Sequence, residues 1–80
     1  QLDNAELATL FRWTEEEFLS RTEGSPLRRT GYQNWLRNLA VGLGNAPSSI
    51  PVLEALQARR DDPSELVREH VAWALEQHPK

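Results

Sequence analysis

The sequence predicts an all-α domain of about five short helices wound as an α–α superhelix. One pattern is written twice: Trp35-Leu36-Arg37-Asn38-Leu39-Ala40-Val41-Gly42-Leu43-Gly44 is echoed by Val67-Arg68-Glu69-His70-Val71-Ala72-Trp73-Ala74-Leu75. Leu39-Ala40 falls on Val71-Ala72 and Leu43 on Leu75, a period of 32, with the two arginines one position out of step. A unit that recurs at a spacing of about 20–50 residues marks a repeat architecture, which usually presents a binding surface. Helix start and stop signals are clear throughout, and no segment alternates with period two over a useful length, which argues against strands.

The elements follow in order, near 4–11, 15–22, 32–44, 49–60 and 63–77. Asp3-Asn4-Ala5-Glu6 has the capping-box form, a side-chain acceptor followed three residues on by a carboxylate, each meeting a free backbone N–H. Thr14-Glu15-Glu16-Glu17 repeats it, and Asp62-Pro63-Ser64-Glu65 places a proline where the first helical residue needs no N–H. Carboxylates in those first turns suit the positive end of the helix dipole. Gly24 ends the second helix and Ser25-Pro26 prevents its simple continuation; Gly44-Asn45 with Pro47 closes the third, and His78-Pro79 the last. Between Gly24 and Gly31 the chain is irregular, with room for one helical turn from Pro26 to Arg29.

At 100° per residue, Tyr32, Trp35, Leu36, Leu39 and Leu43 form one broad apolar stripe on the third helix, with Gln33, Asn34, Arg37 and Asn38 opposite. Val41 lies off that stripe between small residues, as expected of a helix packed on two sides. In the last helix Val67, Val71, Ala74 and Leu75 make the core face, and Leu66, His70 and Trp73 lie on a neighbouring strip that could cap the stack. Phe11, Trp13, Phe18, Trp35, Leu39 and Trp73 are the large side chains expected to be buried, each stabilising the fold by about 1.5–3 kcal/mol before chain ordering offsets most of it.

Eighty residues fit one small domain or a piece of a larger protein. Residues 1–80 read as a single domain, with leading helices and a basic loop over 1–30 and two repeat-like units over 31–78. Opening on Gln1 and not on Met suggests a processed chain or one cut from a longer polypeptide, and the second fits better because nothing in the composition looks secreted. There is no cysteine, so the chain itself can form no disulfide, thiolate zinc site or iron–sulfur cluster. No apolar run approaches the roughly 18 residues that span a bilayer. The net charge of −3 argues against a general coating protein for DNA or RNA. That charge is unevenly spread: Arg21, Glu23, Arg28, Arg29 and Arg37 leave +3 between Phe18 and Ala46, against −6 for the remainder.

No catalytic constellation is present. His70 and His78 stand about 12 Å apart along one helix, too far to share a metal, and neither lies near a nucleophile motif. His70 is expected to be packed or hydrogen-bonded within its helix, and His78 to sit near the C-terminal dipole. The carboxylates Glu15, Glu16, Glu17, Asp61 and Asp62 are explained by helix starts, and the glycines are wrongly spaced for a phosphate loop. The arginines stand apart from these. Arg28 and Arg29 follow a Gly-Ser-Pro turn, and Tyr32, Trp35 and Arg37 come next. Guanidinium forks suit phosphate oxygens, so Arg28, Arg29 and Arg37 are the candidates for phosphate contact. Against this, Arg37 could pair with a helix carboxylate and Trp35 could be core.

Phe18-Leu19, Arg21-Thr22-Glu23-Gly24-Ser25-Pro26-Leu27-Arg28-Arg29, Gly31-Tyr32, Trp35 to Val41 and Leu43-Gly44-Asn45-Ala46 together resemble the C-terminal part of the epoxyqueuosine reductase family. Asp62-Pro63-Ser64 with Leu66 to Leu75 looks like the HEAT-like repeat that ends those enzymes. The resemblance covers nearly the whole chain. It implies a bacterial, cytoplasmic enzyme that reduces epoxyqueuosine in tRNA to queuosine, using cobalamin and two 4Fe–4S clusters. Since every cluster-binding cysteine is absent, it further implies that cofactors and catalysis belong to upstream domains of the same protein. The present chain is then a non-catalytic HEAT-like domain with no cofactor of its own. Its expected partners are those upstream domains and the anticodon region of tRNA, with no membrane and no DNA. The other reading is a HEAT-type protein-interaction module with no RNA role.

Overall fold

The computed structural model describes residues 4–78. Six helices account for the regular structure of these residues: α1 (Asn4–Phe11), α2 (Glu15–Arg21), α3 (Leu27–Thr30), α4 (Tyr32–Asn45), α5 (Ile50–Ala58) and α6 (Glu65–Glu76). The all-α class holds, with one element more than the five expected, because the turn around Pro26–Arg29 closes into the four-residue α3. Among the described residues no helix is long and apolar enough to cross a membrane.

Local side-chain chemistry sets the helix starts. At α2 the Thr14 hydroxyl accepts from the Glu17 backbone N–H at 3.1 Å, while the Glu17 carboxylate accepts from the Thr14 N–H at 2.8 Å, the reciprocal box the sequence predicts. Ser49 caps α5 by accepting from the Val52 N–H, with Pro51 in the first turn. At α6 the prediction needs correction. Pro63 stays outside the helix, and Ser64 is the cap, its hydroxyl accepting from the Val67 N–H at 3.3 Å. Asp62 fixes that cap from behind by accepting from the Ser64 N–H at 3.0 Å. The capping box expected at Asp3 lies outside the described residues. Gly24 (φ 77°) and Gly31 (φ 87°) take the left-handed conformations that bracket α3, where a β-carbon would be strained.

The helices lie in two layers. α4 packs most extensively on α6, and α1 packs on α5; α1–α4 and α5–α6 contacts join the layers. Tyr32, Gln33 and Leu36 at the start of α4 border the same hollow as Asp62, Pro63 and Ser64 before α6. At the other end, Gly44 lies against Trp73 and Ala74. The two copies of the sequence echo therefore run side by side in the same direction. The C-terminal ends of α1 and α5 also meet, through Arg59 and the Phe11 carbonyl. Between the layers sits one core whose largest fully enclosed members are Phe11, Phe18, Leu36, Leu43 and Leu56. Trp35, Leu39 and Ala40 join it, so α4 is covered on two sides as its pattern predicts.

The far end of the stack adds to what the sequence suggests. Trp73 is not core: it is 37% exposed. α4 ends at Asn45, as Gly44-Asn45 and Pro47 predict. Gly44 also supplies space, since a β-carbon there would lie 2.4 Å from the Trp73 Cζ3 atom and 3.0 Å from the Ala74 Cα. His78 is buried, and it serves the end of α4 as well as following α6. Its Nε2 lies 2.8 Å from the Leu43 carbonyl and its Nδ1 2.6 Å from the Ser48 hydroxyl. A carbonyl can only accept, so Nε2 carries a hydrogen and, in the neutral ring, Nδ1 accepts from Ser48.

Gly44→Ala should cost the chain about 1–3 kcal/mol, because the clash includes backbone that cannot rotate away. Equilibrium denaturant unfolding of the two proteins measures this, and equal midpoints would show that α4 and α6 are not seated on each other as described.

Candidate functional site

An aromatic cluster positions the basic segment. Trp13 stacks on Trp35 with ring centroids 5.3 Å apart, and Phe18 tilts against Trp35 at 4.9 Å and against Tyr32 at 5.7 Å. Such contacts add about 0.5–1.5 kcal/mol each beyond burial. They fix α2 and the start of α4 together, and the irregular stretch carrying α3 is strung between them. Trp35 is 8% exposed, so it is core and not a stacking platform for a base. Thr22 ends α2, its hydroxyl donating to the Phe18 carbonyl at 2.7 Å.

On that short bridge the structure brings Arg28 and Arg29 together. Both are exposed, and with Gly24, Ser25 and Pro26 they line an open hollow of about 480 Å³. Neither guanidinium has a side-chain hydrogen bond or ion pair among the described residues. Ser25 braces the turn, its hydroxyl accepting from the Leu27 N–H at 3.2 Å. Arg37, the third candidate, does not line this hollow. It is half-buried, one guanidinium nitrogen donating to the Asn38 side chain at 3.1 Å, and its Nε is enclosed with no partner. Among the described residues no carboxylate pairs with it.

The remaining arginines sort by what they touch. Arg21 lies over the Trp13 ring at 5.0 Å. Arg68 donates to the carbonyls of Asp62 and Pro63 at 2.6 and 3.0 Å. Arg12 and Arg60 are exposed near the C-terminal ends of α1 and α5, where cations offset the negative end of each helix dipole. Arg59 is the residue that sequence reasoning misses. Its Nε donates to the Phe11 carbonyl at 2.5 Å and one Nη to the Trp13 carbonyl at 2.5 Å and the Tyr32 hydroxyl at 2.7 Å. The other Nη donates to the Asp62 carboxylate at 3.0 Å. The only local signal was an Arg–Asp spacing of three just past a helix end, in Arg59-Arg60-Asp61-Asp62.

Tyr32 completes this knot by donating its hydroxyl hydrogen to the Trp13 carbonyl at 2.5 Å. Burial raises its phenol above the ordinary value of 10.0, with the adjacent Arg59 guanidinium partly opposing the shift. His70 is held as expected, its Nδ1 2.9 Å from the Leu66 carbonyl. Among the described residues no three or more His, Cys, Asp or Glu side chains are placed to hold a metal ion.

Comparison with known proteins supplies what the geometry alone does not. The chain is 82% identical over 77 residues to the epoxyqueuosine reductase of Pseudomonas aeruginosa, covering 96% of this chain and 21% of that protein. It is 68% identical to that of Xanthomonas campestris, covering 96% of this chain and 22% of the relative, and 53% identical to that of Escherichia coli, covering 90% and 19%. The chain belongs to the epoxyqueuosine reductase family. It spans about a fifth of the length of the curated reductases it matches. No family model matches it, and no solved structure does.

The Tyr32 knot has a measurable pH signature. A phenol whose folded value is raised keeps its proton after the unfolded chain has begun to lose it. Its contribution is therefore complete below pH 10 and is lost as pH rises beyond that through the folded value. Tyr32 is the only tyrosine, so melting temperature should fall above pH 10 in the wild type and fall less in Tyr32→Phe, which loses about 1–2 kcal/mol at neutral pH instead. Parallel alkaline declines in the two proteins would contradict the described hydrogen bonding.

Proposed function

We propose that this chain is the non-catalytic, C-terminal, HEAT-like part of an epoxyqueuosine reductase, and that it supports the catalytic part and contacts tRNA phosphates through Arg28 and Arg29. The whole enzyme would reduce epoxyqueuosine in tRNA to queuosine in the cytoplasm, with its cobalamin and iron–sulfur clusters held by other parts of the polypeptide. With no cysteine, this chain does not fit a cluster, and no catalytic step is derived from it. The parallel seating of α4 on α6 and the meeting of α1 with α5 support a stack of helical pairs, the HEAT-like arrangement.

One observation carries the RNA reading: Arg28 and Arg29 are exposed side by side, without side-chain partners among the described residues, on a bridge held at both ends. An arginine fork without a carboxylate to satisfy it is available to a phosphate. Contacts of this kind position an RNA without reading its sequence. Arg37 lies apart from the pair and its guanidinium is half-buried, so it does not share this edge.

Charge reversal tests the assignment. In the full-length polypeptide carrying this segment, Arg28→Glu with Arg29→Glu should weaken tRNA binding at least about tenfold at low salt, leaving cofactor content unchanged. Filter-binding affinity and the visible spectrum of the purified protein read the two quantities. Unchanged tRNA affinity would overturn the RNA role and favour the reading of a protein-interaction module.

A further inference from the structure

The outer side of the α4–α6 layer carries a second surface, distinct from the Arg28–Arg29 hollow. Val41, Glu69, His70 and Trp73 line a groove of about 390 Å³ there. Val41 is 38% and Trp73 37% exposed, two large apolar side chains on neighbouring helices opening into the same groove. The groove is built to stay in place. The Trp73 ring rests on Gly44, where even one methyl group would collide with it, so its position is set by the α4 backbone. His70 is tied to the Leu66 carbonyl. Ordering these side chains before any partner arrives removes much of the entropy cost of binding, and tryptophan is among the residues that most often anchor an interface.

Charge and chain length identify the occupant. Among the described residues the groove is lined by one carboxylate, Glu69, and by no arginine or lysine, which disfavours a polyanion. The chain spans about a fifth of its relatives, so roughly four-fifths of such a polypeptide lies outside this structure. We propose that the Val41–Trp73 groove is the face on which the remainder of the same polypeptide docks, placing apolar side chains over Trp73 and a hydrogen-bond donor or cation opposite Glu69. This rests on the reading of the chain as part of a longer reductase, and it adds which face does the supporting.

Hydroxyl-radical footprinting of the full-length polypeptide, without tRNA, tests this. Trp73 should be protected in the wild type. It should be oxidised at least about tenfold faster in Val41→Glu, which puts a charge into the desolvated groove. Trp35 should stay protected and Ile50, which is 70% exposed, should react equally in both, showing that the fold is intact. Glu69→Arg, at an exposed position, should release Trp73 in the same way and serves if Val41→Glu fails to fold. Equal Trp73 reactivity in wild type and both variants would overturn the proposal. Protection that appears only on adding tRNA, or only on raising protein concentration, would also overturn it by assigning the groove to RNA or to a second copy. Loss of tRNA affinity on reversing Arg28 and Arg29 is a separate readout, so either proposal can fail without the other.

Discussion

Arg59 stands at the C-terminal cap of α5, and its guanidinium reaches three other parts of the chain at once. It donates to the carbonyls of Phe11 and Trp13 at the end of α1 and to the Tyr32 hydroxyl at the start of α4. Through Asp62 it reaches the start of α6, because the same carboxylate accepts from the N–H of the Ser64 cap. The last carbonyls of a helix have no partners within it, and α1 has no side-chain cap of its own among the described contacts. A single planar fork therefore satisfies one helix end and fixes where three others begin or stop. Arg59 and Asp62 are mostly shielded, at 16% and 10% exposure, so their attraction is weakened far less than that of a surface pair.

That use of Arg59 shapes what the surface can do. The chain is acidic overall, yet its cations are not equivalent. Arg59 and Arg68 are spent on backbone carbonyls, Arg21 lies on Trp13, and Arg37 is half-buried beside Asn38. Arg12 and Arg60 are exposed singly at the ends of α1 and α5, whereas Arg28 and Arg29 stand together, on a bridge pinned between the Phe18–Trp35–Tyr32 cluster and the left-handed Gly31. A rigid mount matters here because a fork that is already oriented loses less freedom on meeting a phosphate. Polar and apolar surfaces then separate: the Arg28–Arg29 edge lies on α3, and the Trp73 groove between α4 and α6.

How much of this was legible depended on the range of the forces involved. Caps act within four residues, so Thr14 and Glu17 announce their helix in the sequence, and the apolar stripe of α4 is a local periodicity. The expected count of five helices missed by one because α3 is a single turn whose existence depends on where Gly24 and Gly31 place its ends. The exposure of Trp73, the space Gly44 leaves and the bonds of His78 escape the sequence for a common reason: each involves a residue some thirty positions away, on the adjacent helix or the loop before α5. Helical periodicity puts Trp73 on a side strip but cannot say whether a further helix covers it. Of the candidate site, the Arg28–Arg29 pair was readable as a local charge run beside a turn. The separation of Arg37 was not, since it follows from the break at Gly31 between α3 and α4. Arg59 carried no distinguishing local mark, since all its carbonyl partners lie 46 or more residues earlier.

The account stands on the fork geometry of Arg59, and one substitution separates that geometry from charge. Arg59→Lys keeps the cation and most of the stem but replaces five fixed donors by a single ammonium. Equilibrium unfolding of the chain should then show a loss of about 2–4 kcal/mol, in one transition that α1 and α6 share. A loss below about 0.5 kcal/mol would place Arg59 among ordinary surface residues and contradict the account.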